Sequence, residues 1–225
     1  MNYFKKYGFI CLSIFLFLIL IIVISYAKDL SRDYNDLQNQ FIKEKQNYVF
    51  LGDSITNGYQ LDEFYDKYYV VNSGVDGNRT SDILNDLDNR VYRYNPTKVF
   101  LLIGINDMAG GIDNKIISSN IKKIVKQIKK NRPYTKIYIE SVYPLSERPS
   151  DTNFRKISNK KIILLNKKIK KICRENNLTY IDVYNELTDE KGNLKEKYTE
   201  DGLHLNGLGY YRVTKLLKKY IKEKV

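Results

Sequence analysis

The sequence predicts an α/β domain, a five-stranded parallel sheet with helices on both faces, preceded by an N-terminal transmembrane helix. Three observations predict it. Positions 7–27 hold no charged residue. Beyond them, short apolar segments of strand length alternate with amphipathic segments of helical period, the pattern of βαβ units. The most apolar short segment, Val-Phe-Leu-Leu-Ile at 99–103, reads as a central strand buried on both sides.

The N-terminal run follows Lys5 and Lys6 and is long enough to cross a bilayer as a helix. The apolar core of a signal peptide is shorter. Residues 1–27 are therefore expected to be an uncleaved signal anchor with the lysine pair on the cytoplasmic side. This makes the protein a single-pass membrane protein with its domain outside the cytoplasm. The alternative is secretion after cleavage, for which Ser25-Tyr26-Ala27 offers a small-x-small site. Cys11 lies inside the run, so a disulfide with Cys173, the other cysteine, is not expected. In residues 28–46, Leu30, Tyr34, Leu37 and Phe41 recur at helical spacing, as in an amphipathic stalk or a helix packed on the domain. The repeat is too short to define a coiled coil, and the oligomeric state is left open.

The domain proper is assigned to 47–225. Strands are predicted at 47–51, 69–72, 99–103, 136–140 and 179–182. Helices are predicted at 61–67, 81–94, 116–130, 156–176 and 207–222. In the 116–130 helix, Ile117, Ile121, Ile124, Val125 and Ile128 form the inward stripe and the lysines face out. Residues 142–153, with Pro144 and Pro149, are expected to form a loop near the carboxyl edge of the sheet, where sites gather in such folds.

Composition excludes several classes of function. Of the 225 residues, 43% are hydrophobic and 28% charged, as in an ordinary globular protein. The net charge of +12 is spread over several helices without a zinc, RNP or helix-turn-helix signature, so no nucleic-acid partner is expected. The charge reads as a solvated lysine-rich surface, or as attraction to an anionic surface such as headgroups or cell-wall polymers. With a single histidine and no ligand cluster, no metal or cofactor is expected.

That histidine, His204, follows Asp201 by three residues near the end of the chain, and Ser54 follows the first strand. A serine, a histidine and an aspartate are the parts of a serine-hydrolase triad. Each also has a plain structural reading, as helix cap, surface residue and turn. Two further segments alter the weighing. Asn72-Ser73-Gly74-Val75-Asp76-Gly77-Asn78 follows the second strand, and Gly104-Ile105-Asn106-Asp107 the third. Strand ends lie side by side in a parallel sheet, so a glycine N–H and the Asn106 amide could join the Ser54 N–H in one oxyanion hole. Asp53 and Asp107 read as turn-shaping residues. Arg79 is a candidate ligand for an anionic substrate group, with Asp53 as a second substrate-binding candidate.

In order, Gly52-Asp53-Ser54-Ile55-Thr56, the Gly77 loop, Gly104-Ile105-Asn106-Asp107 and Asp201-Gly202-Leu203-His204 resemble the four blocks of the SGNH hydrolases, the GDSL esterase/lipase family. Leu203-His204-Leu205-Asn206, with Gly209 and Tyr210, is most similar to the branch of platelet-activating-factor acetylhydrolase and lysophospholipase-like esterases. The resemblance implies a three-layer α/β/α flavodoxin-like sandwich and a serine esterase. Ser54 would be the nucleophile, His204 the base and Asp201 its partner. Ser54, Gly77 and Asn106 would form the oxyanion hole, with Gly74 a second candidate for the glycine. Two positions depart from the pattern: Asp76-Gly77-Asn78-Arg79 stands in place of a Gly-Asp-Thr string, and Ile105 in place of a threonine. The expected substrates are short-acyl or O-acetyl esters, including those of cell-surface glycans. A lysophospholipase or thioesterase is the alternative, and a non-catalytic glycan-binding module a third reading.

Overall fold

The computed structural model describes residues 3–45 and 47–223. The chain divides into two compact units, residues 1–45 and 46–225. The first is one helix, α1 (Tyr3–Lys45), which runs without interruption through residue 27. Its segment Ser13–Tyr34 is long and apolar enough to cross a membrane, and none of it is buried. Leu30, Tyr34 and Leu37 are exposed. The side chains of Cys11 and Phe41 lie outside those described.

The second unit is built on five parallel strands: β1 (Asn47–Gly52), β2 (Tyr69–Gly74), β3 (Lys98–Leu102), β4 (Lys136–Glu140) and β5 (Thr179–Ile181), in the order β2-β1-β3-β4-β5. Each crossover is right-handed by the usual rule. The single reversal of direction after β2 therefore distributes helices over both faces. On one face lie α4 (Thr80–Asn85), α5 (Leu87–Arg90), α7 (Asn114–Asn131) and α8 (Asn159–Glu175). On the other lie α2 (Ser54–Asn57), α3 (Leu61–Phe64) and α10 (Gly207–Lys222). Two short helices, α6 (Ile105–Ala109) and α9 (Val183–Leu187), follow β3 and β5. This is the three-layer flavodoxin-like arrangement the sequence predicts.

Burial on both faces explains the unbroken apolar strands, and every residue of β3 is buried. On the α10 face, register aligns Phe50, Phe100 and Tyr138 across β1, β3 and β4. Their rings stack at 4.8 Å from one strand to the next. On the opposite face, α7 buries the five predicted residues Ile117, Ile121, Ile124, Val125 and Ile128, and starts on an Asp113 cap. Lys98 is the exception within β3. It is fully buried, and its Nζ donates to the carbonyls of Tyr220, Ile221 and Glu223 at 2.8, 2.8 and 2.6 Å. It thereby caps the C-terminus of α10, where unpaired carbonyls and the helix dipole favour a cation. Burial pushes its ammonium down to about 8.

The structure corrects several boundaries. The predicted helix at 81–94 is broken at Asp86 and Val91 into α4, α5 and a 3-10 turn. The steps turn Arg90 inward, where its guanidinium meets buried backbone acceptors. The 156–176 helix starts later, at Asn159, because Ser158 caps it. The helices α6 and α9 were not predicted, since five residues carry too little periodicity to register.

Candidate active site

Register places the ends of β1, β2 and β3 side by side, with Gly52 opposite Gly74 and Leu102. The chain turns at once from β1 into α2. A side chain at Gly52 would run into Thr56 and the Leu102 carbonyl, so only glycine fits there. Asp53 caps α2, its Oδ1 accepting the Ile55 N–H at 3.0 Å. Ser54 is the first residue of the helix. Its Oγ lies 2.9 Å from His204 Nε2, and His204 Nδ1 lies 2.6 Å from Asp201 Oδ2. The three residues singled out from the sequence thus form one hydrogen-bonded chain, although Ser54 and His204 are 150 positions apart.

Asp201 is set by its own loop. Its Oδ1 accepts the N–H groups of Leu203 (2.9 Å) and His204 (2.8 Å) and faces Thr199 Oγ1 at 3.3 Å. Gly202 takes a φ of 83°, and its N–H donates to Thr199 Oγ1 at 2.8 Å. The irregular segment after β4 braces this loop: Ser146 N–H donates to the Gly202 carbonyl (2.9 Å) and Ser150 N–H to that of Asp201 (2.8 Å). The predicted 142–153 loop therefore does stand at the site. Partial burial works to raise the Asp201 carboxyl. The bonds from the His204 ring and the two N–H groups outweigh it and hold the group below its ordinary value.

Asn106 sits in the first turn of α6, and its Nδ2 donates to the Asn78 carbonyl at 3.0 Å. The amide carries a second N–H beyond that bond. Of the two glycine candidates, Gly74 has its N–H bound to Asn72 Oδ1 at 2.9 Å, and its Cα packs on the backbone of Asn57. Gly77, with φ 71°, is exposed and has open space around its Cα. Arg79 is exposed, and its guanidinium lies against Gly110, 2.9 Å from where a Cβ would stand. Asp53 does not face the cleft: it is 1% exposed, and burial pushes its carboxyl up to about 7. Asp107 is likewise buried, holding the start of α4 through Thr80 N–H (2.9 Å) and Oγ1 (2.5 Å).

Sequence reasoning missed three contributors. Arg90 donates to Gly52 O at 2.9 Å, Ser73 Oγ at 3.0 Å, Asn78 Oδ1 at 2.6 Å and the Ser73 carbonyl. One guanidinium thus ties the ends of β1 and β2 to the loop that Asn106 also holds. Tyr210 OH donates to the Ile55 carbonyl at 2.8 Å, joining α10 to the helix of Ser54. Thr199 is the third. Only Tyr210 left a sequence signal, as the last residue of the string after His204. Among the described residues, no group of three or more His, Cys, Asp or Glu is placed to hold a metal ion.

A doubly wound parallel sheet that sets a serine, a histidine and an aspartate in hydrogen-bonded contact at its carboxyl edge defines a hydrolase of the α/β/α class. More particularly, the chain belongs to the GDSL-like lipase/acylhydrolase family, whose model matches residues 50–212. It is similar to a solved structure from Streptococcus pneumonia named for platelet activating factor. That likeness has a TM-score of 0.75 and 30% identity, and covers 88% of this chain and 99% of that one. It is also 24% identical over 208 residues to the platelet-activating factor acetylhydrolase IB subunit alpha2 of Rattus norvegicus, covering 88% of each. The N-acylneuraminate cytidylyltransferase of Streptococcus agalactiae is 26% identical over 172 residues. The match takes in 76% of this chain but only 38% of that protein.

Proposed function

We propose that the protein is a serine esterase of short-acyl or O-acetyl esters that works through an acyl-enzyme. The observation that carries this reading is the unbroken chain from Ser54 Oγ through the His204 ring to Asp201, beside the loops of Gly77 and Asn106. His204 Nε2 takes the hydroxyl proton as Ser54 Oγ attacks the ester carbonyl. The oxyanion that forms is held by the N–H groups of Ser54 and Gly77 and by the Asn106 amide. The ester C–O bond then breaks, and His204 returns the proton to the departing alcohol. A water gives its proton to His204 as it attacks the acyl group, and the carboxylic acid leaves with Ser54 restored. Asp201 holds the Nδ1–H throughout and favours the imidazolium. Arg79, at the rim, is proposed to meet an anionic group of the substrate.

Short acyl groups fit the resemblance to an acetylhydrolase. The apolar span of α1 supports a membrane-tethered enzyme with its domain outside the cytoplasm. The same span would bring lipid esters within reach, which favours a lysophospholipase as the second reading. The test uses the full chain in a neutral detergent with p-nitrophenyl esters of rising acyl length and Ser54→Ala as control. Activity that depends on Ser54 and collapses beyond the shortest acyl groups supports the short-acyl esterase. Activity that holds or rises with chain length supports the lysophospholipase. Hydrolysis no greater than that of Ser54→Ala overturns both.

A further inference from the structure

We infer that the ester is carried by an anionic polymer, whose negative charges lie in a lysine-lined groove that starts at the helix of Asn106. This rests on the esterase reading and names its substrate class. Lys and Arg crowd the helices on both faces of the sheet, α10 included, and on the α7–α8 face they line a groove. The adjacent helices α7 and α8 carry six and seven Lys or Arg residues against one carboxylate, Glu175. They are joined at both ends: Asn114 Nδ2 donates to the Lys161 carbonyl (3.1 Å) and Lys129 Nζ to that of Asn176 (2.5 Å). Toward their N-termini a groove of about 650 Å³ opens, with Met108, Lys115, Lys156, Lys161, Lys167 and Lys168 in its walls. Asp113 is the carboxylate of the groove, and its Oδ1 already accepts the Lys115 N–H at 2.7 Å as the α7 cap. Among the described residues none of these five lysines is ion-paired. Like charges gathered without partners repel, and an anion laid among them relieves that repulsion.

The groove begins on α6, the helix that carries Asn106. Met108 lies on the same short helix as Asn106, two residues on, within one helical turn of about 5.4 Å. The Arg79 guanidinium lies against Gly110, and Gly111 already belongs to the groove. Positive charge therefore runs from the Gly77 loop into the lysines. Its extent argues for a polymer. Lys161 and Lys168 are seven residues apart on α8, about 10 Å along the axis, and Lys115 stands on the neighbouring helix, so the basic lining is spread over a length that a row of anionic groups would fill. Its concavity argues for a strand-like ligand over a flat bilayer. Leu164, 55% exposed, gives the groove an apolar wall for the uncharged part of a repeat unit.

The test compares two triple variants of the full chain in neutral detergent. One is Lys161→Gln, Lys167→Gln and Lys168→Gln. The other is Lys215→Gln, Lys218→Gln and Lys219→Gln on α10, across the sheet, which removes the same charge. Acetylated polygalacturonate is the anionic substrate, acetylated xylan the neutral one and p-nitrophenyl acetate the reference. In the wild type, added salt weakens action on polygalacturonate and spares that on xylan. In the groove triple, kcat/KM on polygalacturonate relative to the reference falls about tenfold, through KM. In the α10 triple it falls less than about twofold. Equal falls in the two triples, or a wild type that treats both polymers alike, overturns the inference. Binding of unacetylated polygalacturonate and of polyphosphate to Ser54→Ala protein separates carboxylate from phosphate recognition. It also reads the groove without catalysis, so a failed esterase reading would not mask it. Weakening of that binding in the groove triple alone supports the groove. Capture by phosphatidylglycerol vesicles with no binding of either soluble polymer overturns it in favour of a lipid surface.

Discussion

The two loops that meet at the site differ in what holds their side chains. The Ser54 turn is fixed from a distance: Arg90 grips it from 38 residues away and Tyr210 from 155. Its neighbour Asp53 is sealed at 1% exposure. The His204 loop has its side chains set from within, by Asp201 and Thr199 bonding to N–H groups two or three residues on, while Ser146 and Ser150 brace its backbone carbonyls, and its His204 and Asp201 side chains are 43% and 41% exposed. A serine held by the core is preorganised as the core folds. A histidine held by a short local motif keeps one side open to solvent. The contrast teaches that one site can draw its rigidity from two separate sources.

Breaking the link between the halves should have the largest effect. Ser54→Ala and His204→Ala are expected to lower turnover of p-nitrophenyl acetate by about four to six orders of magnitude, and Asp201→Asn by about four. Turnover near that of the wild type in any of them would remove the proposed mechanism. Next comes the clamp on the serine side. Arg90→Met leaves the Gly52 and Ser73 carbonyls without this donor, and should cost about 3–5 kcal/mol in urea unfolding. A loss below about 1 kcal/mol would show that the Ser54 turn holds itself.

Acidity sharpens the comparison, because the two aspartates carry opposite signs. Asp53 has its folded value raised to about 7, chiefly by burial. The stability its neutral form contributes is complete below the unfolded value near 3.8 and is lost as pH rises through about 7. Asp201, lowered, contributes above its unfolded value and loses that contribution as pH falls through the folded one. Relative to Asp53→Asn, the wild type should therefore lose stability between pH 4 and 7, at up to about 1.4 kcal/mol per pH unit. A stability difference flat across that range would contradict the assignment. The smallest effects belong to single hydroxyls. Tyr210→Phe and Thr199→Val should each cost about 1 kcal/mol in thermal unfolding. The first is expected to slow turnover by a few-fold through the Ser54 turn, and equal turnover in Tyr210→Phe and wild type would place that rigidity in Arg90 alone.

The same contrast decides what the sequence could reveal. Asp201 and His204 were legible because their relation is local, three residues apart on one loop. The nearness of Ser54 to the loops of Gly77 and Asn106 was legible because each follows an apolar strand, and parallel register brings such ends together. The α7 stripe was legible from period alone, and all five of its residues are buried. Arg90 was not, because an arginine in an amphipathic stretch reads as solvated. Only the break in the helix at Asp86 and Val91 turns it inward. The Asn72 side chain that occupies the Gly74 N–H is also a contact no motif records, and it supports the proposal of Gly77 for the oxyanion hole.

The buried lysine of β3 bears on how the chain is made. Lys98 emerges from the ribosome well before its acceptors at 220, 221 and 223. A nascent domain closing without them would bury a bare ammonium at a cost of several kcal/mol. The sheet can therefore pair early, but the domain cannot seal until translation has passed the last turn of α10. By then His204 has also been synthesised, so the domain seals only after its sole imidazole has joined the chain.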